Sequence, residues 1–396
     1  MKAKIYLDFN STHPPVKAAL GTARDFYLEH FANSSGLSLE SQAVNKRIEE
    51  AREDIARLLG VTAKQIIFTS CATESNNLLI KEFYRRANAH RKGEPFRVLS
   101  SPFEHPSVAE CLKHLSNTEM TFLASDRNGQ IDPATFSSTD WSAIDLITMM
   151  AVQNESGVVL PLFDLLTALP ENHPLVLADF SQALPKLAHD APPYLQPEAV
   201  ARLTQKNIFL TATGHKIGAG FGAGLIVTPV LQAGWKDTAL LAGGNQEHGL
   251  RAGSHNAEAI IAFAEALKLK LAEADYHRWQ KVTLDFETLL AEKIPAAAKM
   301  QIIGAAATRA PGTTLLLLPG VPIDFLIMAL DKEGITVSTG TSCKSRSRSP
   351  SAALLAMGYS EGDALSVVRL SYGQNLTTAE MEIVSTQLAG AVQRLA

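Results

Sequence analysis

Apolar and polar positions along the chain alternate between helical spacing and short continuous apolar runs. Over 45–60, "NKRIEEAREDIARLLG", Ile48, Ala51, Ile55, Leu58 and Leu59 recur on one helical face with charges opposite, and Gly60 stands where a helix ends. "QIIFTS" (65–70) then reads as a strand, and "CATESNNLLIKEFY" (71–84) as a helix whose first turn holds Thr73, Glu74 and Ser75. Five more apolar runs read as strands: "FRVLSS" (96–101), "LITMMAV" (146–152), "LVLAD" (175–179), "IFLTA" (208–212) and "AGLIV" (223–227). Continuous apolar strands between helices predict a parallel sheet covered on both faces, with its active site at the carboxyl ends of the strands.

The pattern shifts after residue 255. Residues 256–294 read as a long helical region with one break. "TTLLLLPG", the helix "IDFLIMALDKEG", the strand "ITVSTG", then "SVVRLSYG" and a closing helix follow. Thr377 and Glu380 form a capping box at the start of that last helix. The chain is therefore expected to have a large α/β unit over 14–255. A smaller α/β unit is expected from 1–13 together with 256–396.

Composition narrows the function. With 46% hydrophobic and 19% charged residues, the 396-residue chain has ordinary globular composition. A net charge of −4 argues against direct nucleic-acid binding, and no apolar run is long enough to span a bilayer. "MKAKIYLDFN" does not read as a secretion signal, so a cytoplasmic, reducing setting is expected. The three cysteines, Cys71, Cys111 and Cys343, form no CxxC pair, so neither a metal site nor a disulfide framework is expected. Cys111 falls on a helical pattern and reads as core, and Cys71 as a small apolar residue at a strand-to-helix junction. Cys343 differs. It sits in "STGTSCKSRSRSPS" (338–351), which reads as a solvated basic loop.

Polar residues collect where the strands end. Asp179 closes "LVLAD" with Gln182 close behind, Asn154 follows "LITMMAV", and His105 follows "FRVLSS". Thr213, His215 and Lys216 follow "IFLTA", and Thr73 opens a helix whose N-terminus suits a phosphate. A lysine for a Schiff base, a carboxylate for a pyridine nitrogen and a phosphate-suited helix start match the chemistry of pyridoxal phosphate (PLP). Each residue alone reads more simply as a turn, a cap or a solvated side chain. Only the joint pattern carries the assignment.

Nearly end to end, the sequence resembles the class V group of fold-type I PLP enzymes, and within it the cysteine desulfurases of the NifS/IscS kind. "IYLDFNST", "IIFTSCATESNN", "EHPSV", "VQNESGVV", "ADFSQALPK", "TGHKIGAGFGAG", "GGNQEHGLRAGS", "STGTSC" and "VVRLSYG" carry the resemblance, in that order. It implies a mainly parallel seven-stranded sheet, a smaller C-terminal domain and a homodimer. It implies that Lys216 carries PLP and moves the substrate Cα proton. Asp179 and Gln182 would meet the ring nitrogen and hydroxyl, and His105 the ring face. Ala72, Thr73, Thr213 and His215 would hold the phosphate, with Ser254 reaching the partner subunit's. Arg369 would bind the substrate carboxylate, with Asn33 and Asn154 assisting. Cys343 would take the sulfur of L-cysteine as a persulfide and pass it to an acceptor protein, either an iron–sulfur scaffold or a thiolation enzyme.

The residue pattern leaves two other readings open. One is a selenocysteine lyase or another class V aminotransferase or lyase; the other is a non-catalytic homologue. Three stretches depart from the family pattern. Asn10 and His13 stand in the segment expected at the active-site entrance, Asn245, Gln246 and His248 near the expected dimer contact, and a basic run from Lys344 to Arg348 behind the cysteine.

Overall fold

The computed structural model describes residues 4–90, 93–206, 208–229, 239, 241–340 and 349–395, with only the backbone of residue 90. Two helices open it, α1 (Lys17–Glu29) and α2 (Leu39–Leu58). Ser38 caps α2 by accepting a hydrogen bond from the Ser41 amide, and Gly60, at φ +69°, lets the chain reverse after it. Val44, Ile48, Ala51 and Ile55 are buried along one stripe. Full burial of Ile48 or Ile55 contributes roughly 1.5–3 kcal/mol each.

The larger sheet has seven strands, in the order β2-β8-β7-β6-β5-β3-β4. These are β2 (Ile66–Thr69), β3 (Phe96–Ser100), β4 (Thr118–Phe122), β5 (Leu146–Thr148), β6 (Leu175–Asp179), β7 (Ile208–Thr213) and β8 (Gly224–Val227). Strands β4, β3, β5, β6 and β7 run parallel, and β8 is antiparallel to both neighbours. The central strands are buried apart from Leu175 at the start of β6, in keeping with their unbroken apolar runs. Edge strand β4, "TEMTF", is largely solvent-facing, and its polar residues hide it from an apolar-run reading. Helices α3 (Ala72–His90) and α4 (Pro106–Lys113) follow β2 and β3, and their first turns lie at the carboxyl edge of the sheet.

Two smaller sheets come from the chain ends: β1 (Ile5–Tyr6) pairs in parallel with β11 (Ile335–Thr336), and β10 (Thr313–Leu317) lies antiparallel between β9 (Gln301–Ile302) and β12 (Val367–Ser371). A separate apolar core of Leu7, Phe286, Leu316, Leu330, Val368 and Leu388 supports them. The long helical region breaks at Ala274 into helices Ala257–Glu273 and Tyr276–Lys293. The first of these starts just past the expected unit boundary and packs its apolar residues into the core shared with α1 and α2. The capping box forms: the Thr377 amide donates to Glu380 Oε2 at 2.8 Å and the Glu380 amide to Thr377 Oγ1 at 3.2 Å. Among the described residues, no helix is long and apolar enough to cross a membrane.

Candidate active site

One cavity of about 330 Å³ opens at the carboxyl edge of the large sheet, where it meets β12 and the N-terminal segment. Ala72, Thr73, His105, Asn154, Asp179, Gln182, Thr213, His215, Lys216 and Arg369 all line it, as do Asp8, Asn10, Ser11, Ser181, Ser338 and Gly340. Strand ends and helix starts place the first group. Asp179 ends β6, Thr213 ends β7, and Thr73 sits in the first turn of α3, whose leading amides have no partner within a helix. Glycine is required at Gly224, where an added Cβ would lie 2.6 Å from the Cys71 carbonyl carbon. That close approach brings β8 against the start of α3.

Asp179 is held by amides: Ser181 N donates to Oδ1 at 2.8 Å and Asn76 Nδ2 to Oδ2 at 3.1 Å. Asn76 is fully buried and uses its whole amide, also donating to Ser107 Oγ and accepting from Thr211 Oγ1. Ser107 in turn fixes His105. Its amide donates to His105 Nδ1 at 3.1 Å, which assigns the ring proton to Nε2. Burial holds His105 below its ordinary pKa, against the pull of Asp179. Sequence reasoning missed Asn76, although a signal existed. It is the polar member of the stripe Asn76, Leu79, Ile80 and Phe83, all fully buried on α3.

Lys216 follows β7 in a tight turn closed by Gly218, at φ +82°. A side chain there would meet the Pro14 carbonyl at 2.6 Å, so glycine lets the N-terminal strap pass directly over the lysine. Lys216 Nζ donates to the carbonyls of Asn10 and, at 2.9 Å, Ser11. Burial, then the charge of Arg369, lowers its pKa to about 8, with Asp179 and Asp8 opposing. His215 stacks on Phe221 with ring centres 5.3 Å apart. Burial and the neighbouring Lys216 push it down to about 4, so it is neutral.

Arg369, 3% exposed, is pinned by the same strap. Its Nη2 donates to Asp8 Oδ1 and Ser11 Oγ, each at 2.7 Å, and its Nη1 to the Asn154 carbonyl at 2.8 Å. Gln182 Nε2 donates to the Asn10 carbonyl at 2.8 Å. Three buried polar atoms here have no partner among the described residues: Arg369 Nε, Gln182 Oε1 and Ser181 Oγ. Such atoms are costly unless a ligand meets them.

Some expected residues lie elsewhere. Asn33 and Ser254 are exposed and do not line the cavity. Asn33 Oδ1 instead accepts from the Ser35 amide. Asn10 is at the cavity, whereas His13 faces away from it toward Lys270. The Ser11 and Thr12 amides both donate to the Asp8 carbonyl, and this turn carries the chain past the cavity before His13. Cys71 lines the cavity half-buried, and Cys111 is buried in the core under α4. Cys343 and the basic run Lys344–Arg348 fall outside the described residues.

A mainly parallel seven-stranded sheet with a half-buried lysine and a buried carboxylate at its carboxyl edge, facing a buried arginine from β12, defines the α/β class of fold-type I transferases. The chain belongs to the aminotransferase class-V family, whose profile matches residues 5–384. It is 28% identical to a cysteine desulfurase of Trichormus azollae over 99% of this chain and 93% of the relative. It is 30% identical to the mitosomal cysteine desulfurase of Trachipleistophora hominis, over 99% and 87% respectively. A solved NifS-like protein superposes with a TM-score of 0.84 at 25% identity, covering 99% of this chain and 100% of that one.

Proposed function

We propose that this protein is a PLP-dependent cysteine desulfurase. The net reaction transfers one sulfur atom: L-cysteine and the Cys343 thiol become L-alanine and a Cys343 persulfide. One observation carries the reading. In a chain that aligns end to end with cysteine desulfurases, Lys216, Asp179, His105 and Arg369 converge on a cavity whose wall includes Gly340. Gly340 is three residues from Cys343, a chain span of at most about 11 Å.

The residues present fit the cofactor. Asp179 suits a ring nitrogen carrying a proton, the unpartnered Gln182 Oε1 and Ser181 Oγ suit ring substituents, and the Lys216 amine suits an aldehyde. Thr73, Thr213, His215 and the first turn of α3, with Ala72, suit a phosphate. PLP, when bound, supplies an electron sink for the carbon beside the substrate amino group.

The chain's own groups do the rest. Arg369 takes the substrate carboxylate, with Asn154 beside it. Lys216 Nζ removes and returns the proton at Cα, which a pKa near 8 suits. His105 covers the ring face. The Cys343 thiolate attacks the substrate sulfur. The S–S bond forms as the C–S bond breaks, the electron pair stays with the carbon skeleton, and a proton completes L-alanine.

We further infer a homodimer. Leu28, Phe31, Leu37 and Leu39 are exposed, at 94% for Leu37, a large apolar display for a free surface. Ser254 would then meet the partner's phosphate, and Asn33 would approach the substrate site from the dimer contact. The larger unit over 14–255 would carry the cofactor, and 1–13 with 256–396 the cysteine. The acceptor would be a sulfur-carrying protein in iron–sulfur assembly or tRNA thiolation, in a cytoplasmic, reducing setting that keeps Cys343 a thiol. Cys343→Ser tests the reading. Sulfide release from L-cysteine with a reductant should vanish while the bound-cofactor absorbance remains; release at the wild-type rate would overturn it.

A further inference from the structure

The N-terminal strap has a second side. Ile5, Tyr6, Phe9 and His13 line another cavity, of about 280 Å³, whose remaining wall includes Pro185, Lys270 and Trp279. Lys270 Nζ lies 2.7 Å from His13 Nε2, and His13 Nδ1 lies 2.6 Å from the Pro14 carbonyl. The imidazole proton therefore sits on Nδ1, and Nε2 accepts from the lysine. Behind this wall Lys186, 3% exposed, sets its Nζ 4.2 Å from the centre of the Trp279 ring. Neither lysine has a carboxylate at ion-pair distance among the described residues.

The two cations and His13 act on one another. Burial and then Lys270 lower Lys186 to about 7, and burial lowers Lys270 to about 8. Two acids also line the cavity. Glu380 is occupied by its capping bonds to Thr377. Glu273 is exposed, one turn along the helix from Lys270, and offsets its charge only in part. An amine at the cavity wall, a second amine behind it and flat apolar surfaces beside them together suit an anion with an apolar body.

We propose that this cavity binds a small organic carboxylate, with its charge on Lys270 and its apolar body against Phe9 and Trp279. Lys186 strengthens the attraction from behind the tryptophan. The volume suits a ligand of fragment size. The inference is independent of the desulfurase assignment. A ligand there would touch the same strap that supplies the Asn10 and Ser11 carbonyls to Lys216.

Calorimetric titration of the cofactor-loaded protein with benzoate tests this. One saturable site per chain is expected, and it should persist in Arg369→Ala, which removes carboxylate binding at the first cavity. Lys270→Met should weaken binding about 10-fold or more by removing a charged hydrogen bond. Lys186→Met should also weaken it, to a smaller degree. Bound-cofactor absorbance and a single cooperative melting transition would establish that these variants fold. Inorganic phosphate lacks an apolar body and should bind about 10-fold more weakly than benzoate. No saturation with a Kd below about 10 mM would overturn the site. So would binding that survives Lys270→Met but is lost in Arg369→Ala. Phosphate binding as tight as benzoate would overturn the organic-carboxylate assignment.

Discussion

The two cavities that flank the N-terminal strap treat positive charge in opposite ways. On one side Arg369 meets the Asp8 carboxylate, the Ser11 hydroxyl and the Asn154 carbonyl, and Lys216 meets two carbonyls. On the other, Lys270 meets a neutral imidazole and Lys186 an indole face, with no carboxylate at ion-pair distance from either among the described residues. Buried cations are costly when oxygen partners are missing, since Coulomb attraction must offset desolvation. The first cavity is thus built to hold its charges in fixed positions, while the second keeps charge in reserve.

The largest expected effect concerns Lys216. With a pKa near 8 rather than 10.5, it should be neutral on the order of 100 times more often than an ordinary lysine at pH 7. The neutral amine is the form that attacks an aldehyde. In the cofactor-free protein, the rate of recombination with PLP should rise with pH and level off just above 8. A rate still climbing toward pH 10 would show that the cavity leaves this lysine ordinary.

Asp8→Ala should come next. It strips Arg369 of its carboxylate and leaves a buried guanidinium, a loss of about 3 kcal/mol in urea unfolding of the whole chain. A loss below about 1 kcal/mol would mean that the pair behaves as a surface ion pair. Asn76→Ala should cost about 1–3 kcal/mol, because Asp179, Ser107 and Thr211 each lose a partner. Restoration by Asn76→Gln would show that position matters less than amide chemistry.

The smallest effect should have the opposite sign. Lys270→Met removes a cation that lacks a carboxylate and should raise stability by about 1 kcal/mol at pH 7. The folded pKa of Lys270, about 8, lies below the ordinary 10.5, so the unfolded chain takes up the proton first as pH falls. The penalty is complete below pH 8 and absent above 10.5. The gain from Lys270→Met should therefore disappear in alkaline unfolding experiments, and a gain independent of pH would place its origin in packing.

Much of this was legible in the chain. The stripe Ile48, Ala51 and Ile55 and the apolar runs at 146–152, 175–179 and 208–212 fix their own burial, because period and length leave few alternatives. The residues after the strand ends then follow to one edge of the sheet, as parallel topology demands. Strand β4 escaped because an edge strand need not be apolar. Asn76 escaped because its partners, Asp179, Ser107 and Thr211, are far from it in sequence. His13 was misplaced because the chain turns between Asp8 and Thr12, and only packing says which side each residue of such a turn meets.

The sequence by itself determined the order of elements, the strand-end positions of Asp179, Lys216 and His105, and the motif that marks the family. These depend on local periodicity and on covalent neighbours. Tertiary structure alone decided how the strap runs between two cavities. It gave Arg369 a carboxylate from a residue 361 positions away and, among the described residues, left Lys270 without one at ion-pair distance. Charge compensation is a property of distances in space, and no spacing along the chain encodes it.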